Sequence, residues 1–198
     1  MSIEIMLALA TFAFVGSITP GPNNVMVLAS GLNFGFRRTV PHLLGVGIGF
    51  PAMIAAVGFG LGSMLASTPA LQEGLKYAGA AYLLYLAWRI ATAEAADTGS
   101  TSARPLSFLE AAAFQWLNPK GWVLAVGAIL TYSRPGRALA DVPLIALIFL
   151  LATLPSVVVW AGFGAALERL LQDKRKVRIL NVLMGLTLAA SVMPMLFV

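Results

Sequence analysis

Residues 142–167 read VPLIALIFLLATLPSVVVWAGFGAAL, with no Asp, Glu, Lys or Arg among them. The run is longer than the roughly 20 residues a helix needs to cross about 30 Å of hydrocarbon. The same absence of charge holds between Glu4 and Arg37, from Thr39 to Gln72 and from Ile179 to Val198. Length alone therefore calls for four membrane spans. Over all 198 residues, 59% are hydrophobic, 11% are charged and the mean hydropathy is +0.87. An ordinary soluble domain carries about 25% charged residues, so this chain has too few to cover a water-exposed surface. The expected fold class is an all-α polytopic membrane protein.

Six helices are predicted, at about 4–30, 42–62, 70–91, 108–132, 142–166 and 178–197. The third holds Glu73 and Lys76 near one end and Arg89 near the other, so it spans by snorkelling these side chains to the two interfaces. Basic residues gather in cytoplasmic loops, which tests the count. With six spans, Arg37, Arg38, Arg89, Arg104, Arg169, Lys174, Arg175, Lys176 and Arg178 share one side, and only Lys76, Arg134 and Arg137 take the other. That asymmetry sets both termini outside, which in a bacterial inner membrane is the periplasmic face. No Lys or Arg precedes the apolar run Ile5–Val15 and no small-residue cleavage site follows it, so it reads as a retained helix, not a signal peptide.

Three helices followed by three reverse the direction of the second half, the arithmetic of an inverted repeat. The whole chain, 1–198, is expected to form a single transmembrane domain: repeat one about 1–92, a flexible linker about 93–105, and repeat two about 106–198. Each leading helix is interrupted by Pro with Asn beside it, in Thr19-Pro20-Gly21-Pro22-Asn23-Asn24 and in Asn118-Pro119-Lys120-Gly121. Paired breaks in corresponding helices point to a binding site. Pro20 and Pro22 lack an N–H, so the carbonyls of Gly16 and Ile18 lose their usual donors; Pro119 does the same to Gln115. Such backbone either lines protein or a wet cavity, or is a packing kink satisfied by Asn23 or Asn118. The expected transport path is Pro20, Gly21, Pro22, Asn23, Asn24, Gln115, Asn118, Pro119 and Lys120.

Lys120 is the sharpest single residue. In a helix that begins near Phe108 it lies ~18 Å along the axis, at mid-membrane, where an unpaired ammonium costs at least ~2.5 kcal/mol. A cation kept there has an anion to meet; the other reading starts the span near Asn118 and lets Lys120 snorkel to the cytoplasm. Glu110 reads as an interfacial acid at a helix start.

Other classes fall away. With no Cys there is no disulfide, thiolate metal site or thiol relay, and the single His42 builds no metal cluster. No P-loop and no G-x-G-x-x-G after a strand occur, and no cofactor is implied. The net charge of +5 and pI near 10.0 come from basic residues in the gaps between apolar runs, a topology signal and not a nucleic-acid surface. An intramembrane enzyme needs convergent nucleophiles or carboxylates that the spans do not offer. Gly45/Gly49 and Gly58/Gly62 let another helix approach closely, and such faces on a small chain fit a homodimer. Trp88, Trp116 and Trp160 read as interface anchors or packing.

One known family shares these features in order. Thr19-Pro20-Gly21-Pro22-Asn23, then Gly31 and Gly35-Phe36-Arg37, the segment Leu75 to Leu86 (LKYAGAAYLLYL), Asn118-Pro119-Lys120, and Leu180-Asn181 with Gly185 resemble LysE/RhtB-type amino-acid exporters along nearly the whole chain. The resemblance implies an inner-membrane exporter of amino acids or derivatives, driven by protons, with the two Pro-Asn motifs close to the path. No Asp or Glu lies deep in a confident span, so Lys120, Glu110, Asp141 and His42 all stand as coupling candidates. The expected function is secondary export of a small zwitterion by rocking of the two halves, its partners being lipid, an amino-acid-like substrate and protons. The alternative is a passive channel, scramblase or structural membrane subunit.

Overall fold

The computed structural model describes residues 1–93, 104–171 and 173–193, and every regular element among them is helical. The expected first span, 4–30, is divided. Helix α1 (Ile3–Ile18) stops where Thr19 precedes Pro20, and α2 (Pro22–Ala56) starts where Gly21 precedes Pro22. Thr19 (φ −63°, ψ 142°) and Gly21 (φ −174°, ψ 177°) are both extended, as a following proline requires.

Helix α2 then continues past the expected loop at 31–41. Its one non-helical residue is Gly35, at φ 72° and ψ 167°. Ser30 Oγ and His42 Nδ1 are 2.8 Å apart, although twelve residues of straight helix separate two positions by about 18 Å. The helix therefore folds back at Gly35 into arms 22–34 and 36–56, using a conformation open essentially to glycine. The separation expected between the first and second helices is thus corrected: a single glycine turns the chain, and no loop is needed.

A π turn (Val57–Leu61, with Gly60 at φ 119°) and short α3 (Gly62–Ala66) carry the second arm to Thr68, and α4 (Pro69–Ala91) follows within a residue of expectation. Most of the expected linker, 94–103, lies outside the described residues. Helix α5 (Phe108–Phe114) opens on a capping box: Ser107 Oγ accepts from Glu110 N, and the Glu110 carboxylate accepts from Ser107 N at 2.7 Å. Arg104 holds that same carboxylate in a fork of 2.6 and 2.7 Å. After a 3-10 turn (Gln115–Leu117), Asn118 is extended ahead of Pro119, which begins α6 (Pro119–Tyr132). Helix α7 (Ala138–Leu170) begins earlier than expected because Asp141 anchors its first turn, accepting from Arg134 N, Nε and Nη2 at 3.0, 2.9 and 2.6 Å. Asp173 caps α8 (Lys174–Ala190) through Arg175 N.

By length and composition, Ala138–Leu170 qualifies to cross a membrane, as does the stretch Pro22–Ala66 that the fold-back at Gly35 divides. Helix α1 is shorter because the break at 19–21 cuts the first charge-free run, and the apolar run of α8 continues beyond the described residues. The exterior suits lipid: Leu139 is 85% exposed, Leu130 79% and Leu109 75%.

Helix α7 packs along α2 and also covers α1; α5 lies on α2, and α4 on α8. Gly45 and Gly49 make the α2–α5 contact close, since a Cβ at Gly49 would stand 2.7 Å from the Ala112 Cα, and one at Gly45 would strike the Phe108 carbonyl. Gly58 faces Ile129 and Val142, while Gly62 meets only its own Val57, so the second expected glycine pair does not act as one. Two apolar clusters result. One joins Met26, Val46, Leu83, Phe114, Val157 and Leu188; the other joins Leu9, Phe50, Met53, Ala125, Ile145 and Phe149. Buried polar side chains, Ser17, Asn24, Gln115, Asn118, Thr153 and Ser156, stand apart from both.

Candidate functional site

These polar groups converge on the two breaks. The chain ends α1 at a proline, so its last carbonyls must find partners elsewhere. Asn24 Nδ2 donates to Ser17 O and to Thr19 O, both at 2.8 Å. Ser156 Oγ donates to Ser17 O at 2.8 Å, and Trp160 Nε1 donates to Ile18 O at 3.1 Å. Ser17 Oγ lies 3.0 Å from Thr153 Oγ1. Thr19 Oγ1 reaches Gly16 O at 3.3 Å, and Asn118 N reaches Gln115 O at 3.3 Å. The carbonyls of Gly16, Ile18 and Gln115, deprived of their usual donors by the prolines, are therefore engaged by other protein donors.

The second break reaches across to the first. Lys120, in the first turn of α6, donates from Nζ to Thr19 O at 2.7 Å and to Thr19 Oγ1 at 2.8 Å; Pro20 O lies farther off, at 3.5 Å. An ammonium has three N–H donors, and only two find short partners here. A Cβ on Gly21 would stand 2.7 Å from Lys120 Cδ, so the glycine makes room for the lysine stem. Asn23 and Gln115 exchange amide hydrogen bonds at 2.8 and 3.2 Å, tying the start of α2 to the end of α5. Gln115 Nε2 also donates to Ala111 O. Pro22 and Pro119 occupy the first positions of α2 and α6, where a missing N–H costs least.

A cavity of about 30 Å³ lies between the breaks, bordered by Ser17, Asn23, Asn24, Asn118, Lys120 and Thr153. Val157 from one apolar cluster and Phe50 from the other complete its wall. The volume accommodates water and is too small for an amino acid as it stands. Asn118, 2% exposed, has an Oδ1 with no hydrogen-bond partner among the described residues. Leaving that acceptor bare costs about 1–3 kcal/mol, which a water or ligand donor would recover. The first break is not sealed on all sides: Thr19 and Pro20 are exposed, whereas Ser17, Pro22 and Asn24 are buried.

Of the nine residues expected on the path, Gly21, Asn23, Asn24, Asn118 and Lys120 border this cavity. Gln115 reaches it through Asn23, and the three prolines shape the backbone around it. Of the four coupling candidates, Lys120 alone borders it. Glu110 and Asp141 are held by Arg104 and Arg134, and His42 borders a different cavity. Sequence reading missed Thr153 and Ser156 and took Trp160 for an anchor or packing residue. The signal was present: positions 153, 156 and 160 fall on one helical face of an otherwise apolar run.

Helices with an apolar exterior, broken backbone and an ammonium beside a small polar cavity are the features of a membrane translocator. The chain belongs to the LysE type translocators, whose family model matches residues 14–192. It is 33% identical over 190 residues, 95% of each chain, to the cysteine/O-acetylserine efflux protein of Escherichia coli strain K12. The protein of that description from Shigella flexneri is likewise 33% identical over 95% of each chain, and the one from Escherichia coli O1:K1 is 32% identical. No solved structure matches the chain.

Proposed function

We propose that this protein is a proton-driven secondary exporter of small amino acids or their derivatives across the bacterial inner membrane, by alternating access at the cavity between the two breaks. The observation that carries the reading is Lys120 on one break hydrogen-bonded to Thr19 on the other, 101 positions away in sequence. The names of the relatives favour a substrate the size of cysteine or O-acetylserine. Lys120 receives the substrate carboxylate on the N–H now facing Pro20 O, its longest contact, and Asn118 Oδ1 accepts from the substrate ammonium. A carboxylate that draws Lys120 away from Thr19 also loosens the contact between the halves.

The contact pattern supports two inverted three-helix units, and hence six spans. Broken α1 lies on α7 as α5 lies on α2, and α4 meets α8 as the two closing helices. Basic residues at Arg37, Arg38, Arg89 and Arg104 and around α8 support a cytoplasmic placement of those loops and periplasmic termini.

The test is efflux of O-acetyl-L-serine from proteoliposomes carrying an imposed proton gradient. Lys120→Gln is expected to lower saturable efflux at least tenfold, about 1.4 kcal/mol of a charge-assisted contact, at unchanged insertion. Unaltered flux in that variant removes Lys120 from the mechanism. Flux that neither saturates nor needs the gradient establishes a passive pore instead.

A further inference from the structure

A second cavity, of about 70 Å³, lies beside the fold-back at Gly35, bordered by Ser30, Asn33, His42, Arg89 and Arg104. It is the larger of the two, and no motif in the sequence announces it. Helix α2 connects them: Asn23 borders the central cavity, while Met26, Ser30 and Asn33, on the same helical face, border this one. Ser30 lies about 10 Å along α2 from Asn23.

His42 is 1% exposed, and its Nε2 has no partner among the described residues. Its other nitrogen, Nδ1, is 2.8 Å from Ser30 Oγ, for which no second partner is seen among the described residues. If Nδ1–H donated, both the serine hydrogen and the Nε2 lone pair would be left without partners. If the serine donates to Nδ1, a single buried donor, Nε2–H, remains unpaired. The second arrangement leaves fewer orphans and places the proton on Nε2. Arg104 in the same wall is committed to Glu110 through two short bonds. Arg89 is half-buried, its guanidinium 5.8 Å from the Tyr85 ring centre, with no acidic partner among the described residues. Among the described residues, the wall thus offers one cation without a counter-ion, and His42 holds one buried donor without an acceptor.

We propose that this cavity is a second binding site, which takes the carboxylate of a small anionic or zwitterionic molecule at Arg89 before it reaches the central cavity. The choice of an amino-acid-type occupant rests on the exporter reading; the anion selectivity rests on these residues alone. Arg89 and Arg104 belong to the basic side of the chain, so the site is where a molecule arriving from the cytoplasm is collected. Met26, 3% exposed, borders this cavity on the same α2 face that leads from Asn23.

The chain has no native Cys, so any introduced thiol is unique. Ala29→Cys places one in the cavity wall, and Leu106→Cys provides a second position should the first fail to fold. Each protein, in inside-out vesicles, is treated with 2-carboxyethyl and with 2-aminoethyl methanethiosulfonate, and rates are normalised to a free thiol. The carboxylate reagent is expected to react at least about fivefold faster, the effect of one unit charge about 4 Å away even under full solvent screening. Arg89→Gln is expected to abolish that preference, Arg89→Lys to retain part of it, and O-acetyl-L-serine to protect the thiol. An unchanged preference in Arg89→Gln, or no reaction at either thiol, overturns the proposal. Lys120→Gln separates the two readings. Lost efflux with intact anion-selective labelling supports both, whereas labelling that stays anion-selective beside unaltered efflux sinks only the central mechanism.

Discussion

Removing the Asn24 carboxamide together with the Ser156 hydroxyl is expected to cost more stability than the two single changes added. Asn24 supplies two hydrogen bonds of 2.8 Å, to Ser17 O and Thr19 O, yet each acceptor has a second donor: Ser156 Oγ on the first, Lys120 Nζ on the second. Asn24→Ala therefore loses two bonds without baring either oxygen, a destabilisation of about 1–3 kcal/mol at roughly 0.5–1.5 per bond. Ser156→Ala loses one bond, about 0.5–1.5 kcal/mol. The double variant strips Ser17 O of both side-chain donors, and the extended Gly21 supplies no backbone N–H to it. A bare buried carbonyl adds about 1–3 kcal/mol of uncompensated desolvation. A coupling of about 1 kcal/mol or more is expected, above the average of about 0.6 measured for hydrogen bonds between membrane helices. The cavity left by truncating Asn24 is common to both sides of the cycle and cancels. Reversible unfolding of the four proteins in detergent micelles measures the coupling. Additivity within about 0.3 kcal/mol would mean that water already serves this carbonyl, and the buried belt would lose its claim to hold the break shut.

Three glycines give sharper contrasts under the same unfolding assay. Gly164 faces the backbone of α2 so closely that a Cβ would collide with the Leu28 carbonyl, whereas Gly162, two residues earlier, has nothing within 4 Å. Gly164→Ala is expected to destabilise by about 1–3 kcal/mol. Gly162→Ala is expected to be neutral or stabilising by up to about 1 kcal/mol; equal effects at the two sites would contradict the close α2–α7 contact. Gly35→Ala is expected to cost about 1–3 kcal/mol, because φ 72° with ψ 167° is open essentially to glycine, and a stability matching wild type would refute the fold-back.

How far the sequence led depends on the range of the physics involved. Proline acts on its own neighbours, so the extended backbone at Thr19 and Asn118 was legible from Pro20 and Pro119. The start of α5 was legible for a similarly local reason, since the Ser107–Glu110 capping box lies within one turn. The fold-back at Gly35 was not, because a glycine in an apolar run is equally at home in a packed helix. Lys120 could be weighed for depth, but its partner on another helix is a tertiary fact that spacing does not encode. The polar row of α7 was overlooked because serine and threonine are ordinary in membrane helices, and their purpose appears only with the bare carbonyls of α1 beside them. The cavity at His42 combines residues from α2, α4 and the segment before α5, no two of which share a motif.

The closed arrangement also bears on how the proposed transport would proceed. Helices in lipid gain little from burying apolar surface against one another, so a wholly apolar seam between the halves would hold by packing alone. Here the seam carries hydrogen bonds that a substrate is equipped to replace. The Thr19 oxygens on Lys120 are neutral acceptors, and a carboxylate is a better one, so the exchange is downhill for the lysine. Thr19 O keeps Asn24 as a donor when Lys120 leaves, so opening the seam does not strand that carbonyl. Asn118 Oδ1, bare in the closed form, gains a donor from the substrate ammonium. On the proposed mechanism, the lysine thus exchanges neutral acceptors for a charged one. By the same mechanism, a molecule lacking either charge would not complete the exchange, and the site would select zwitterions by hydrogen bonding as well as by shape.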